Sequence, residues 1–501
     1  MIRYLNMIKS FCKSSYIVWC IILTSNSYGQ RQDRIWLFPD SAGIDFNDPS
    51  NPISINCNLV PPAGYSSSIS DNQGNLLFYT GGIDLTYKPM RIFDKNGDIM
   101  QNGDSMKGYP WVGQGNMILP MPGDTNKYYV FIAGRDGSIG NSLYYSIVDM
   151  SLNNGFGSVI LRDSLFLSDH INEKLNATKH ANGRDCWIVV QSNHQDSLFH
   201  KFLITPDSIF GPIDQKIGSG DNINKAFGQM IFSSDGSKLG VVAENATVDI
   251  FDFDRCSGVL TNYKAAGEGV FSYPNVYFGC SFSPSGNLFY TSSIWYEYKN
   301  VYQYDLTAGN IKATKQIIFS YPDTGLVQNL ELGQHLLAPD NKIYIAKGKG
   351  FDGFNWNTYY THHMDVITSP DSVGLSCNYQ PAYFDLGAGK TVQGLPTMVN
   401  YNLGPVTGSI CDSLSIGIKA IDPPKLFSLF PNPFTDEITL HSSSQLNGNM
   451  IIRNEIGQVL FKTTIKENKT FNLSFLSAGI YLVQVEIAGK IYNERLVKMK
   501  K

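Results

Sequence analysis

Two adjacent histidines, His362 and His363, stand just ahead of Asp365. Imidazole and carboxylate in such a run could ligate a metal or pass a proton. Neighbouring residues on a strand point to opposite faces, so the two histidines cannot readily share one ion. Asp365 could pair with His363, but no third ligand is evident and no metal site is expected. His180, ahead of the Asn182-Gly183 turn, reads as a hydrogen-bonded structural histidine. Aspartates recur at Asp71, Asp124, Asp235 and Asp340. A glycosidase needs two carboxylates about 5–10 Å apart, and turn formation accounts for these four without catalysis. Phe351, Phe354, Trp356, Tyr359 and Tyr360 crowd one Gly- and Asn-rich stretch. Exposed aromatic rings stack on sugars and peptides, which makes these five the expected ligand contacts, although such a loop can also pack as a cover. No Gly-x-Ser-x-Gly elbow, phosphate loop or His-Glu-x-x-His run occurs, so no catalytic residue and no cofactor is assigned.

The elements that carry these residues follow from composition. Hydrophobic residues at 43% suffice for a buried core, and 13% aromatics with 46 Gly and only 16% charged residues favour a turn-rich β protein. At 501 residues two or three folded units are expected. Lys+Arg 39 nearly balance Asp+Glu 43 without a long basic run, which argues against nucleic acid as a partner.

Residues 1–29 read as an export signal. Arg3, Lys9 and Lys13 precede a short apolar run over 16–23, and Ser27 and Gly29 supply the small residues of a cleavage site between Gly29 and Gln30. The run is shorter than the roughly 20 residues that span a bilayer, so the mature chain is expected to lack a transmembrane segment. Six cysteines remain: Cys57, Cys186, Cys256, Cys280, Cys377 and Cys411. Their wide spacing excludes a Cys-x-x-Cys metal or redox motif, and export makes disulfides plausible without choosing their pairing. Buried free thiols are an equal reading for Cys186 and Cys280.

Internal repetition organises the chain. Asp71-Asn72-Gln73-Gly74, Ser234-Asp235-Gly236, Pro284-Ser285-Gly286 and Pro339-Asp340-Asn341 each lead into an apolar strand, with weaker copies at Asp124 and Asn182. Asp, Asn and Gly suit tight turns, and β-branched and aromatic residues resume the strand. A second short strand ending in a turn follows each copy by about twenty residues, as in Ile92-Phe93-Asp94. Such four-stranded units, repeated about every 54 residues, are the grammar of propeller blades. Residues 33–404 therefore read as a seven-bladed β-propeller, with eight blades the competing count. The shared blade would pair 34–38 with 395–401 in one sheet, removing an open edge. A linker covers 405–424.

From 425 to 501 short alternating strands argue a small C-terminal β-sandwich. This segment resembles the type A C-terminal sorting domain of the Bacteroidetes type IX secretion system. The resemblance rests on Pro431-Asn432-Pro433, the Gly457-Gln458 turn, Gly479-Ile480-Tyr481, and Lys498 and Lys500 at the end. It implies a partnership with the type IX machinery, passage through the periplasm, and release or attachment at the outer cell surface. The propeller resembles a group of exported propeller proteins from the same bacteria through Trp36, 42–46, 76–80, Trp187, 374–377 and 394–396. That likeness carries no reaction with it. The chain as a whole is expected to be a secreted or cell-surface binding protein contacting glycans or proteins in adhesion, colonisation or motility. The alternative is an exported enzyme that cleaves polysaccharide or peptide within the propeller channel.

Overall fold

The computed structural model describes residues 31–499, apart from 60–65, 83–89, 109–112, 136–140, 193–196, 220–226, 270–275, 295–298, 322–329, 349–360, 413–426, 442–446, 455–457, 467 and 488–489. The export-signal residues, Gly29 and Gln30 among them, lie outside that set. Strands and short 3-10 turns account for the regular structure described. No helix among the described residues is long and apolar enough to cross a membrane. The chain divides into two compact units between Ser415 and Ile416.

The first unit is a succession of antiparallel sheets. β1 (Ile35–Phe38), β2 (Ala42–Asp45) and β3 (Ile53–Asn56) form one, and β4 (Ser66–Ser70), β5 (Leu76–Gly81) and β6 (Arg91–Asp94) the next. Then come β7 (Asn116–Pro120), β8 (Lys127–Arg135), β9 (Asn141–Asp149), β10 (Ser158–Lys179), β11 (Cys186–Ser192), β12 (Leu198–Ile204) and β13 (Ile209–Lys216) in a single sheet. Three four-stranded sheets follow. These are β14 (Met230–Phe232) to β17 (Leu260–Ala265) through β15 (Lys238–Ala243) and β16 (Thr247–Phe253); β18 (Tyr277–Phe282) to β21 (Gln316–Ser320) through β19 (Leu288–Ser293) and β20 (Asn300–Asp305); and β22 (Glu331–Leu337) to β25 (Tyr379–Asp385) through β23 (Ile343–Gly348) and β24 (His363–Ile367).

Each turn singled out in the sequence joins two paired strands of these sheets, and two of the turns fall in the one seven-stranded sheet. β10 pairs with β9 over its first part and with β11 over its last, so two units share one continuous strand. Each repeat turn works as its composition predicts. Gly74, Gly123, Gly183, Gly236, Gly286 and Asn341 all take positive φ at the equivalent place, a conformation open to Gly and Asn.

The inner strands of these sheets are buried on both faces. Every residue of β11, Cys186–Ser192, is buried. Such a strand needs a neighbour on each side, because each fully buried large apolar side chain contributes about 1.5–3 kcal/mol. Trp187, Val189 and Phe199 pack on Leu239, Val241 and Phe251 of the following sheet. Leu288 and Tyr290 pack on Leu332 and Ile343. Trp36 lies 4.7 Å from Phe46 and 5.9 Å from Tyr344, ring centre to ring centre, which joins the first sheet to the last. The first strands neighbour one another in the order β1, β4, β7, the end of β10, β14, β18, β22. Their approach is close enough that a Cβ on Gly279 of β18 would stand 2.1 Å from the Gly333 carbonyl oxygen of β22.

Residues 390–412 tie the two ends of this series. Asp40 and Lys390 exchange backbone hydrogen bonds of 2.8 and 2.9 Å. The Leu395 amide donates to Gln334 Oε1, and the Thr397 amide to the Ser66 carbonyl. The sequence placed 34–38 and 395–401 in one sheet, and the structure corrects that expectation. β1 pairs with β2, whereas Pro396 and Asn400 make isolated parallel bridges to Ser66 and Thr178. Pro396 offers no N–H to a ladder, and the segment crosses several first strands in turn. Cys411 then forms a disulfide with Cys256. Cys186 and Cys280 are buried free thiols.

The second unit holds two sheets around one core. β26 (Ser428–Phe430), β27 (Glu437–His441) and β30 (Lys469–Asn472) form one; β28 (Gly448–Arg453), β29 (Val459–Ile465), β31 (Gly479–Ile487) and β32 (Lys490–Lys498) the other. Ile438, Leu440, Met450, Ile452, Val483 and Val485 fill the space between them. The Pro431-Asn432-Pro433 segment covers part of the β32 edge. Asn432 donates from Nδ2 to the Arg495 carbonyl at 2.7 Å and accepts from the Val497 amide at 2.9 Å, acting as a one-residue strand.

Two outcomes test these restraints. Cys411→Ser should lower the stability of the first unit by about 2–4 kcal/mol, read as a fall in the thermal midpoint that reductant reproduces in the parent. An unchanged midpoint would show that the crosslink restrains nothing. Asn432→Ala should cost the second unit about 1–3 kcal/mol and speed hydrogen exchange at the Val497 amide; unaltered protection there would refute the edge-covering role.

Candidate functional site

The five aromatic residues expected to contact ligand, Phe351, Phe354, Trp356, Tyr359 and Tyr360, lie outside the described residues, between β23 and β24. The histidine pair is separated by the structure. His362 places Nδ1 3.0 Å from the carbonyl oxygens of Gly387 and Gly389. His363 is 47% exposed, and its Nε2 stands 4.0 Å from Asp385 rather than on Asp365.

Asp365 is fully buried in a different constellation. It takes Lys347 Nζ at 2.5 Å, the Ala382 amide at 2.7 Å and the hydroxyls of Tyr379 and Tyr321. The carboxylate beside them raises the pKa of both phenols, adding to the larger effect of burial. Four donors to one carboxylate make a satisfied ion cluster, which orders the sheet rather than presenting a reactive group. Lys315, Glu268 and Tyr277 form a similar set, with Lys315 Nζ 2.7 Å from Glu268 and 2.6 Å from the Tyr277 hydroxyl.

His180 and the turn aspartates have structural work. His180 Nε2 lies 3.0 Å from the Cys256 carbonyl, and its Nδ1 accepts the Asn182 amide. Ligand atoms of His180, Cys256 and Cys411 fall within 4.8 Å of one another, but the two sulfurs are joined to each other, and a disulfide offers no thiolate to a metal. Asp71, Asp124, Asp235 and Asp340 each accept the backbone amide two residues on, at 2.8 to 3.1 Å. These are the turn roles predicted from the sequence.

Where the first strands converge, the structure gathers residues that the sequence reading did not single out. Gln114 exchanges two hydrogen bonds with the Met230 backbone. Gln229 donates to the His335 carbonyl and accepts from the amides of Cys280 and His335. Gln334 reaches across to the Gly113 carbonyl at 2.6 Å. These carboxamides satisfy strand edges that would otherwise be buried without partners. The signal for them was a Gln or Asn at or just before the first apolar strand of a unit, too common a feature to stand out.

Three titratable side chains sit in this polar region. Lys174 is buried, with Nζ 3.4 Å from the Phe227 carbonyl. Glu244 closes the β15–β16 turn, and burial pushes it up to about 7 against the pull of Lys174. His335 is wholly buried with both ring nitrogens unpartnered, and burial holds it down to about 3. Glu244 can thus hold or release a proton near neutrality, while His335 stays neutral.

In the second unit the expected sorting residues are drawn together by packing. Lys498 is 8% exposed; its Nζ donates to the Leu473 carbonyl at 2.7 Å and lies 5.5 Å from the Phe434 ring centre. Phe434 directly follows Pro431-Asn432-Pro433 and exchanges backbone hydrogen bonds with β32 through Val497 and Met499. Tyr481, two residues after Gly479, donates its hydroxyl to the Ser477 carbonyl. Gly457 and Lys500 lie outside the described residues. Lys498 acts from inside, as a prop beneath the covered edge.

Comparison with known proteins gives two kinds of likeness. No curated protein matches the chain in sequence. Among solved structures, a Bacteroides fragilis protein named as a "putative 6-phosphogluconolactonase" is 14% identical, covering 72% of this chain and 95% of its own, with a TM-score of 0.44. The periplasmic gluconolactonase of Pseudomonas aeruginosa is 13% identical over 77% of this chain and 95% of its own, at 0.35. The Swd1 β-propeller domain of Myceliophteria thermophila is 10% identical over 63% and 93%, at 0.33. At such distances none of these bears on activity. The model of the secretion system C-terminal sorting domain, in contrast, matches residues 428–499. The second unit is therefore a secretion system C-terminal sorting domain, and the protein that carries it is exported by the type IX route to the cell surface or the extracellular space.

Proposed function

We propose that the first unit is a seven-bladed β-propeller that binds glycans or proteins at or beyond the bacterial surface, in adhesion, colonisation or motility. The sorting domain is the observation that carries this reading, because it delivers a large all-β unit to the place where such ligands are met. Seven first strands, β1, β4, β7, the end of β10, β14, β18 and β22, support the blade count. The two sheets of the sorting domain, packed on one core, fit a small β-sandwich. Residues 1–29 serve as the export signal; of the expected linker 405–424, the part up to Cys411 is tied to the first unit, which leaves 413–424 as the passage between units. The aromatic stretch from Phe351 to Tyr360 supplies the contacting rings, since Trp and Tyr offer large stacking surfaces at low entropic cost.

The enzymatic alternative has one observation in its favour, the buried Glu244 held up to about 7. A carboxyl poised there suits a general acid or base. The turn aspartates and Asp365, in contrast, are consumed by backbone amides and by Lys347.

Screening the mature protein on glycan and protein arrays, alongside polysaccharide and peptide hydrolase substrates, separates the readings. Saturable binding without turnover is expected. Turnover that disappears in Glu244→Gln would replace the binding reading with the enzymatic one. For export, a chain truncated before Lys425 should fold its first unit and accumulate in the periplasm. Its continued appearance in the medium would count against the tail as the export signal.

A further inference from the structure

The two sheets of the second unit turn unlike faces outward. Residues directly opposite on paired strands share a face, and the buried Ile438, Leu440, Met450, Ile452, Val483 and Val485 mark the inward one. On the sheet of β26, β27 and β30 the outward positions are polar apart from Phe430. Thr439 meets Thr470 hydroxyl to hydroxyl at 2.9 Å, and Glu437 stands opposite Asn472.

The sheet of β28, β29, β31 and β32 differs. One outward row across its four strands reads Val459, Arg453, Leu482, Arg495. In the adjoining rows Ile480 faces Val497, and Ile451 faces Lys462. Val459 and Leu482 are each 47% exposed and Ile480 40%. An outward strand position ordinarily carries a polar side chain, so aliphatics on neighbouring strands mark a surface that a partner covers.

Charge says what kind of partner. Arg453, Arg495 and Lys462 stand among these aliphatics. Among the described outward positions of the sheet the one carboxylate is Glu486, two rows from Leu482. The tail follows suit: residues 416–501 hold eleven Lys and Arg against seven Asp and Glu, in a chain of net charge −4. A second copy would bring arginine against arginine. A lipid surface takes up side chains that reach into it, and none of these three aliphatics is more than half exposed. A protein surface that is apolar at its centre and acidic at its rim answers both the aliphatics and the cations.

We propose that this outward face, centred on Leu482 between Arg453 and Arg495, is where the type IX machinery docks, through a component that presents an apolar patch bordered by Asp and Glu. The proposal rests on the second unit's being a sorting domain, and not on what the first unit binds.

The test expresses full-length variants in a bacterium that has the type IX system and compares periplasm with cell surface and medium. Leu482→Glu, and Arg453→Glu combined with Arg495→Glu, should each lower the exported fraction on the order of tenfold and leave the chain in the periplasm. Thr470→Glu, on the outward face of the other sheet, should be exported like the parent. Thermal unfolding of each purified chain checks folding; should Leu482→Glu unfold the second unit, the double charge reversal, which keeps every aliphatic, carries the test. A photoreactive residue at position 482, but not at 470, should crosslink to a type IX component identified by mass spectrometry. The proposal fails if both face variants are exported normally while the chain truncated before Lys425 is retained, because the tail is then recognised elsewhere. It fails equally if Thr470→Glu blocks export as strongly. Loss, in the face variants, of dimerisation or of binding to phosphatidylglycerol vesicles shown by the purified parent would give the face to a second copy or to lipid instead. Export of the truncated chain itself would remove the tail as signal and this face with it.

Discussion

A sheet that is apolar on both faces cannot exist alone in water, and this constraint governs the first unit. β11 is buried along its whole length, so the sheet that holds it must be covered from both sides, as must its neighbours. Each sheet satisfies the one before and the one after, and only the ends of the series remain in need of partners. Trp36, Phe38 and Phe46 meet Tyr344 and Met364 there. The segment from Lys390 then secures the meeting with backbone hydrogen bonds, and Cys411 anchors its far end covalently to the turn after β16. Glycines such as Gly279 let the backbones approach where the first strands crowd together.

This economy shapes the chemistry. Charged side chains admitted to the interior arrive with full complements of partners, as Asp365 does with Lys347 and two tyrosines. Uncharged amides, among them Gln114, Gln229 and Gln334, hold the convergence of first strands, where an unpaired charge would be most costly. What stands apart is small: Glu244 near neutrality at one turn, His335 kept neutral, and the incompletely partnered Asp33 and Trp36.

Much of this was legible in residue order. The Asp-Gly and Asn-Gly turns announced their strands because positive φ and amide-accepting side chains are local demands, met within four residues. The sorting domain declared itself through Pro431-Asn432-Pro433 and the terminal lysines, short local motifs, of which Asn432 bonds the β32 backbone and Lys498 lies under Phe434. Long-range pairing was not legible. Cys256 and Cys411 are 155 residues apart, and nothing in their surroundings distinguishes them from Cys186 or Cys280. His363 and Asp365 looked like partners by proximity, but on β24 the carboxylate is buried and the imidazole exposed. The unbroken course of β10 was hidden because its bulges disturb the alternation that marks a strand.

The position of Cys411 has a mechanical corollary. Among the described residues, the bonds that 390–412 makes to the sheets lie upstream of Ser415, and the disulfide of Cys411 comes after those at Asp40 and Ser66. Tension applied to the tail during passage through a membrane would be carried at that sulfur–sulfur bond into the turn bearing Cys256. The hydrogen bonds at Ser66 and Asp40 would be spared. Proteolysis anywhere beyond Cys411 would leave the sheets joined as before, so the address can be discarded after delivery without loosening what it delivered.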